Sequence, residues 1–248
     1  MDGQRLIRIF DVVDQLASHG PLTVTQLSSR LGLPLSSTHD LVKAMVEARV
    51  LHGNGRAYSV GPRAVRAALN VLDSVALPRV AGHHLDLLVQ RIGFDVYLAM
   101  ATGTRVVYVS RHPGRQRINL DIPLGRSLQL HCTAVGKLFA AYRPDVYRAM
   151  VDRDRPAPTL HTRTTQIQLD RDMAAIRSRG FSLSRGESIR GVLGLATPVR
   201  SPDGSLVAAV HVSALRNALP AGEIPGVVSA MHETSSAIES DLADPAVA

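Results

Sequence analysis

The stretch Thr23–Val50, TVTQLSSRLGLPLSSTHDLVKAMVEARV, decides the reading of the chain. Thr23 or Thr25 can cap a short helix whose apolar positions Leu27 and Leu31 lie one turn apart, and Gly32 stands where a left-handed C-cap belongs. Pro34 cannot continue that helix, whereas Ser36 or Ser37 can cap a second one carrying Leu41, Val42, Met45 and Val46 on one face. The pattern predicts a helix-turn-helix, although a plain helical hairpin satisfies much of it. A reader of this kind projects the N-terminal residues of its second helix, here Leu35, Ser36, Ser37, His39, Asp40 and Lys43, in the geometry that enters a major groove. The next residues favour the reader. Val50-Leu51 and Ala57–Val60 are short apolar runs around His52-Gly53-Asn54-Gly55-Arg56, and an Asn-Gly tip beside a basic residue suits a wing lying on phosphates. Candidate DNA contacts are therefore Ser36, Ser37, His39, Asp40, Lys43, Arg49 and Arg56.

Working outward, residues 5–19 place Leu6, Ile9, Phe10, Val13, Leu16 and Ala17 at helical spacing and stop at Gly20-Pro21, which predicts a support helix. After the wing, Gly61-Pro62 opens a helix through Val65, Ala68, Leu69, Leu72 and Val75 that Pro78 ends or kinks. It reads as a linker whose apolar stripe needs cover, for which a second copy of the chain is one solution. The expected domains are 1–61, a winged helix-turn-helix, 62–78, a linker helix, and 79–248, an effector-binding and oligomerisation domain.

In the last of these, residues 79–92 read as a helix closed by Gly93, and the apolar period then changes from 3.6 to 2. Phe94–Met100 and Arg105–Ser110 flank a hairpin turn, and Ile118–Leu124 is expected as a third strand. Helices are expected at 133–142, 145–152 and 164–179, strands at 192–199 and 206–215, and a final amphipathic helix through Ile224, Val227, Val228, Met231 and Ile238. The fold class is α+β, an antiparallel sheet with packed helices.

Composition narrows the partners. With 248 residues, 45% of them apolar, the chain can bury a large core. It has no 18-residue apolar run and no charged-then-apolar leader, so a soluble, cytoplasmic protein without a membrane partner is expected. One cysteine, Cys132, excludes an internal disulfide framework and a cysteine-based zinc finger. The net charge of +7 supports an acidic partner only weakly, because it is spread along the chain.

Three blocks carry a resemblance: Leu27-x-x-Arg30-Leu31-Gly32-Leu33-Pro34-x-Ser36-x-x-His39, then Leu130-His131-x-Thr133-Ala134-x-Gly136-Lys137, then Gly180-Phe181 through Glu187, Gly191-Val192, Ala196, Pro198-Val199 and Gly204. With these blocks in order over nearly its whole length, the chain resembles the IclR family of bacterial transcriptional regulators. The resemblance implies a winged helix-turn-helix before a GAF-like ligand-sensing domain, and operator DNA, a small-molecule effector and a homodimer or homotetramer as partners. It departs at Leu35, where the family commonly has a basic residue, at Asp40, where it has arginine, and at Gly194, where many relatives have cysteine. Ser184 and Arg185 stand where acidic residues are frequent. The resemblance places the effector pocket along 130–133 and the strands around Gly191–Pro198, with Leu128, Leu130, His131, Cys132, Ser184 and Leu195 near the ligand.

Other features read as structure. Thr133 serves as a plain helix cap or as part of an anion site at the helix N-terminus. His131-Cys132 does not form a nucleophile–base pair, since adjacent residues point apart, and no catalytic residue is expected. The vicinal His83-His84 do not share a helix face, so neither a metal nor a cofactor is expected. Ten arginines between Arg143 and Arg190, interleaved with acids, read as a solvated face. The function expected is a ligand-responsive repressor or activator sensing a small organic acid or related metabolite. An enzyme or pure sensor domain with a nucleic-acid-binding appendage is the alternative.

Overall fold

The computed structural model describes residues 3–53, 56–74, 76–115 and 122–244. The chain divides into two compact units, Met1–Val75 and Ala76–Ala248, so the division falls inside the 62–78 stretch.

Unit 1 opens with α1 (Gly3–His19), α2 (Val24–Leu31) and α3 (Leu35–Glu47). Thr23 caps α2: its side-chain oxygen accepts from the Gln26 amide while the Gln26 side chain accepts from the Thr23 amide, which closes a reciprocal capping box. Gly32 ends α2 in the left-handed conformation at φ 63°, as its position in the sequence predicts. The start of α3 corrects the expectation. Pro34 occupies the N-cap position with extended backbone, so Ser36 and Ser37 lie inside the first turn and cap nothing. Thr38 is buried there and its hydroxyl donates to the Pro34 carbonyl at 3.0 Å.

The strands β1 (Leu51–Gly53) and β2 (Tyr58–Val60) pair antiparallel, and the wing is tied to the helices because Leu22 and Tyr58 exchange two backbone hydrogen bonds of 3.0 and 2.8 Å. The wing tip, Asn54-Gly55, lies outside the described residues. The core of this unit comprises Val12, Leu16, Leu22, Leu27, Leu41, Val42, Met45 and Leu51. Here α1 departs from its expected stripe: Ile9, Val12, Val13 and Leu16 face the core, while Leu6, Ile7 and Phe10 stay exposed. The linker helix α4 (Pro62–Ser74) likewise leaves Val65, Leu69 and Val71 in solvent.

Unit 2 is a three-layer α/β/α arrangement, an antiparallel sheet between two sets of helices. Its helix α5 (Ala76–Ile92) has Pro78 in its first turn, where the missing N–H costs no helical bond, so Pro78 neither ends nor kinks a helix there. The strands are β3 (Asp95–Thr102), β4 (Arg105–His112), β5 (Ser182–Arg185), β6 (Val192–Arg200) and β7 (Leu206–Leu215). They form one sheet in the order β4-β3-β7-β6-β5, antiparallel throughout. Most of the expected third strand, 118–121, lies outside the described residues; 122–124 carry no strand, and Ser127 bridges to Val107. The fifth strand of the sheet is β5, at the edge opposite β4, and it is too short to show a period.

Strand alternation sorts the two faces of the sheet. Against α5 and α9 (Ile224–Leu242) it buries residues such as Thr197, whose hydroxyl meets that of Ser235 on α9 at 3.0 Å. Against α6 (Ala134–Tyr142), backed by α7 (Pro144–Asp152) and α8 (Gln166–Arg179), it buries Tyr97, Ala99, Tyr108, Ala196 and Ala209. No helix of the described residues is long and apolar enough to cross a membrane.

Candidate functional sites

The first site is the outer face of α3. Thr38, Leu41, Val42 and Met45 turn into the core. Leu35, Ser36, Ser37, His39, Asp40 and Lys43 are all exposed, so the residues expected to read DNA share one accessible surface. His39 Nδ1 and Asp40 Oδ1 lie 3.8 Å apart, both largely in solvent. Arg49 follows the other end of the helix, in the tight turn into β1, and holds φ 59°, a conformation that non-glycine residues adopt at a cost. Arg56 is exposed just past the wing tip.

The second site lies between the sheet and the N-terminus of α6, a cavity of about 50 Å³. Thr133 caps α6, accepting from the Gly136 amide at 3.1 Å and donating to the Gln129 carbonyl at 2.6 Å. Below it the sheet contributes Tyr108, His211, Gly194, Ser184 and Ser213, and the loop before β6 contributes Ser188 and Ile189. Tyr108 Oη and His211 Nδ1 are 3.0 Å apart, with their rings stacked at 5.2 Å and Tyr97 packed against both. Gly194 makes room for that imidazole: a Cβ there would stand 3.0 Å from His211 Nε2 and 3.4 Å from Ala134 Cβ. Burial holds His211 neutral, pushing its pKa down to about 3, and drives the Tyr108 hydroxyl well above the ordinary phenol range.

Beside the cavity, the wholly buried Lys137 of α6 donates to Glu187 Oε1 at 2.7 Å and to Asp172 Oδ2 at 3.2 Å, and Arg163 also pairs with Asp172. The 186–190 loop is thereby pinned to α6. Thr159 and Thr162 hold it from the other side, donating to the carbonyls of Gly186 at 2.6 Å and Glu187 at 2.7 Å.

The expected ligand residues divide. Ser184 lines the cavity, and its hydroxyl donates to the Cys132 carbonyl at 2.9 Å. Cys132 is fully buried next to it, and burial raises its thiol to about 11, which keeps it protonated and unreactive at neutral pH. Leu128, Leu130 and His131 line a different hollow, of about 380 Å³, against Met150, Arg153 and Pro156. His131 is committed to it, with Nε2 at 2.8 Å from the Pro156 carbonyl. Leu195 is a correction: Gly194 and Ala196 face α6, so alternation turns Leu195 to the opposite side of the sheet. A larger groove, about 620 Å³, runs along residues 157–162 and Arg190, with Thr159, His161, Thr162 and Arg190 as its polar side chains.

Sequence reasoning missed Tyr108, His211 and Lys137 as site residues. Two of them carry a signal: a histidine inside the apolar run LVAAVHVSAL, and a lysine inside AVGKLFAAY. Among the described residues no three His, Cys, Asp or Glu side chains gather as metal ligands would. His83 and His84 stand 5.9 Å apart on α5, and His84 pairs with Asp241 at 2.7 Å.

A reader helix with a tethered wing, joined to a separate α+β unit with a buried polar cavity, is the architecture of a DNA-binding transcriptional regulator. Family comparison gives the same answer. Residues 6–55 match the IclR helix-turn-helix domain and residues 69–240 the C-terminal domain of the bacterial transcriptional regulator IclR, and the chain belongs to the IclR family. It is 29% identical to the probable transcriptional regulator SauR of Cupriavidus necator, over 84% of this chain and 83% of that protein. It is 25% identical to the transcriptional regulator XynR of Escherichia coli, over 98% and 97%. Among solved structures, an IclR homolog from Microbacterium hydrocarbonoxydans complexed with 4-hydroxybenzoate shares the fold, with a TM-score of 0.83 and 24% identity over 96% of this chain and 98% of that one.

Proposed function

We propose that this regulator binds a small organic acid in the cavity under the N-terminus of α6, and that the bound ligand changes its affinity for a pseudo-palindromic operator. The observation that carries the reading is the convergence of Tyr108, His211, Ser184, Ser188 and Ser213 on the first turn of α6, walled by Ile122, Ile189 and Val192. Hydroxyls, a neutral imidazole and helix N-terminal amides suit a carboxylate without a full countercharge. A cavity of about 50 Å³ is smaller than an aromatic acid needs, so ligand entry displaces the 186–190 loop against its Lys137 and Thr159 anchors. That displacement is the differential contact through which a ligand shifts the conformational balance. The complex of a family member with 4-hydroxybenzoate supports an aromatic hydroxy acid as the first probe.

On the DNA side, the reading places Ser36, Ser37, His39, Asp40 and Lys43 in the major groove and Arg49 and Arg56 on phosphates. Two copies cover two half-sites. The exposed Leu6, Ile7 and Phe10 of α1 and Val65, Leu69 and Val71 of α4 are the apolar surfaces for a homodimer, and operator binding places the protein in the cytoplasm. The ligand is bound without turnover, in keeping with the protonated, buried thiol of Cys132.

The test is a thermal-shift and operator-binding screen of the full chain with 4-hydroxybenzoate and a panel of small carboxylates. A ligand at 100 times its Kd is expected to stabilise by about 2.7 kcal/mol. Tyr108→Phe is expected to weaken the ligand's effect while leaving ligand-free operator binding intact. A full ligand response in Tyr108→Phe together with a second cavity variant, Ser184→Ala, places the effector elsewhere.

A further inference from the structure

We propose that Asp40 makes this protein read an amino-bearing base, cytosine before adenine, at one fixed position of each operator half-site, at the expense of its general affinity for DNA. The inference rests on the groove placement of α3 proposed above.

The geometry starts from the buried side of α3. At about 100° per residue, the stripe opposite Thr38, Leu41, Val42 and Met45 runs through Ser36, Asp40, Lys43 and Glu47. Asp40 thus sits near the midline of the outward face, and its side chain is 86% exposed. Among the described residues it has no structural duty to explain it. It lies beyond the first turn, so it neither caps α3 nor complements the positive helix N-terminus, and its contact with His39 at 3.8 Å is solvated.

The chemistry then limits what it can meet. An ionised carboxylate only accepts hydrogen bonds. In the major groove, guanine offers N7 and O6 and thymine O4, all acceptors, whereas cytosine N4 and adenine N6 offer donors, and acidic side chains characteristically accept from cytosine N4. Opposite guanine or thymine, Asp40 is repelled. Beside the phosphates it also opposes the charge attraction that drives binding to any sequence. Its penalty is uniform and its reward is local, which raises discrimination while lowering affinity.

The experiment is selection from a random duplex library with the full chain as wild type, Asp40→Ala and Asp40→Asn, alongside binding to non-specific DNA. The wild type is expected to select one strongly preferred cytosine, symmetric in the two half-sites, with discrimination of about tenfold over guanine. Asp40→Ala is expected to lose that preference alone and to bind non-specific DNA more tightly. Asp40→Asn is expected to move it toward adenine, which asparagine contacts through N6 and N7. Identical selected bases at every position for wild type and both variants overturn the proposal and leave the groove placement standing. A wild type that selects no sequence overturns both.

Discussion

The face of α3 and the interior of unit 2 treat polar side chains in opposite ways. On α3, Ser36, Ser37, His39, Asp40 and Lys43 stand in water. In unit 2, Tyr108, His211, Lys137, Glu187, Thr197 and Ser235 are buried and partnered within the chain. A change on the first surface is expected to alter recognition and to leave folding nearly untouched. A change in the second removes a partner from a desolvated group, so folding registers it first.

The sharpest test is Lys137→Met. It strands Glu187 as a buried carboxylate without its ammonium partner and is expected to cost about 3–5 kcal/mol, read from the urea midpoint of the full chain. Lys137→Met combined with Glu187→Gln is expected to recover part of that loss, and no loss in the single variant breaks the contrast.

Acid supplies the next largest effect. His211 is held neutral in the fold to about pH 3 but protonates near 6.5 when unfolded, so between those values the unfolded chain binds the extra proton. Its contribution to stability is complete above pH 6.5 and declines at up to about 1.4 kcal/mol per pH unit below it. His131, also lowered by burial, adds to the same slope. Denaturation followed from pH 7.5 to 5 is expected to show the decline, and His211→Asn to flatten it.

Lys43→Ala and Arg56→Ala are expected to change stability by less than about 0.5 kcal/mol while each lowers the salt slope of DNA binding by about one. An unchanged slope in both removes the groove-and-wing assignment. The smallest effect is expected from Arg91→Ala, which breaks an exposed pair with Glu233 of 2.5 Å. A melting temperature indistinguishable from wild type would show that burial, and not membership of unit 2, decides the response.

The same contrast explains how much the sequence discloses. Unit 1 is built from local signals: a cap at Thr23, a left-handed glycine at Gly32 and a proline stop at Pro34 each act within a few residues, and the helix pair is legible from them, as the wing is from the apolar runs at 50–51 and 57–60. The start of α3 is not legible in the same way, because Pro34 and two serines compete for one cap position and only backbone geometry decides. In unit 2 the strands β3, β4, β6 and β7 were legible from period, but β5 has four residues and too few alternations to declare itself. The resemblance puts the whole stretch around Leu195 at the cavity, but Leu195 itself lies one residue out of phase with Gly194 and Ala196. Tyr108 and His211 come from strands that are not neighbours in the sheet, so no spacing in the sequence connects them.

The pairing of β3 with β7, which sets Asp95 opposite Ser213, also imposes an order of events on the ribosome. The contacts of the helix-turn-helix core come from residues 9–60, so that core is complete while the centre of the sensor sheet still lacks the strand that fills it. Any chain cut short before Leu206 would therefore carry a finished DNA reader and an unfinishable sensor. Such a fragment would be deaf to the ligand and prone to aggregate through the uncovered edges of β3 and β6.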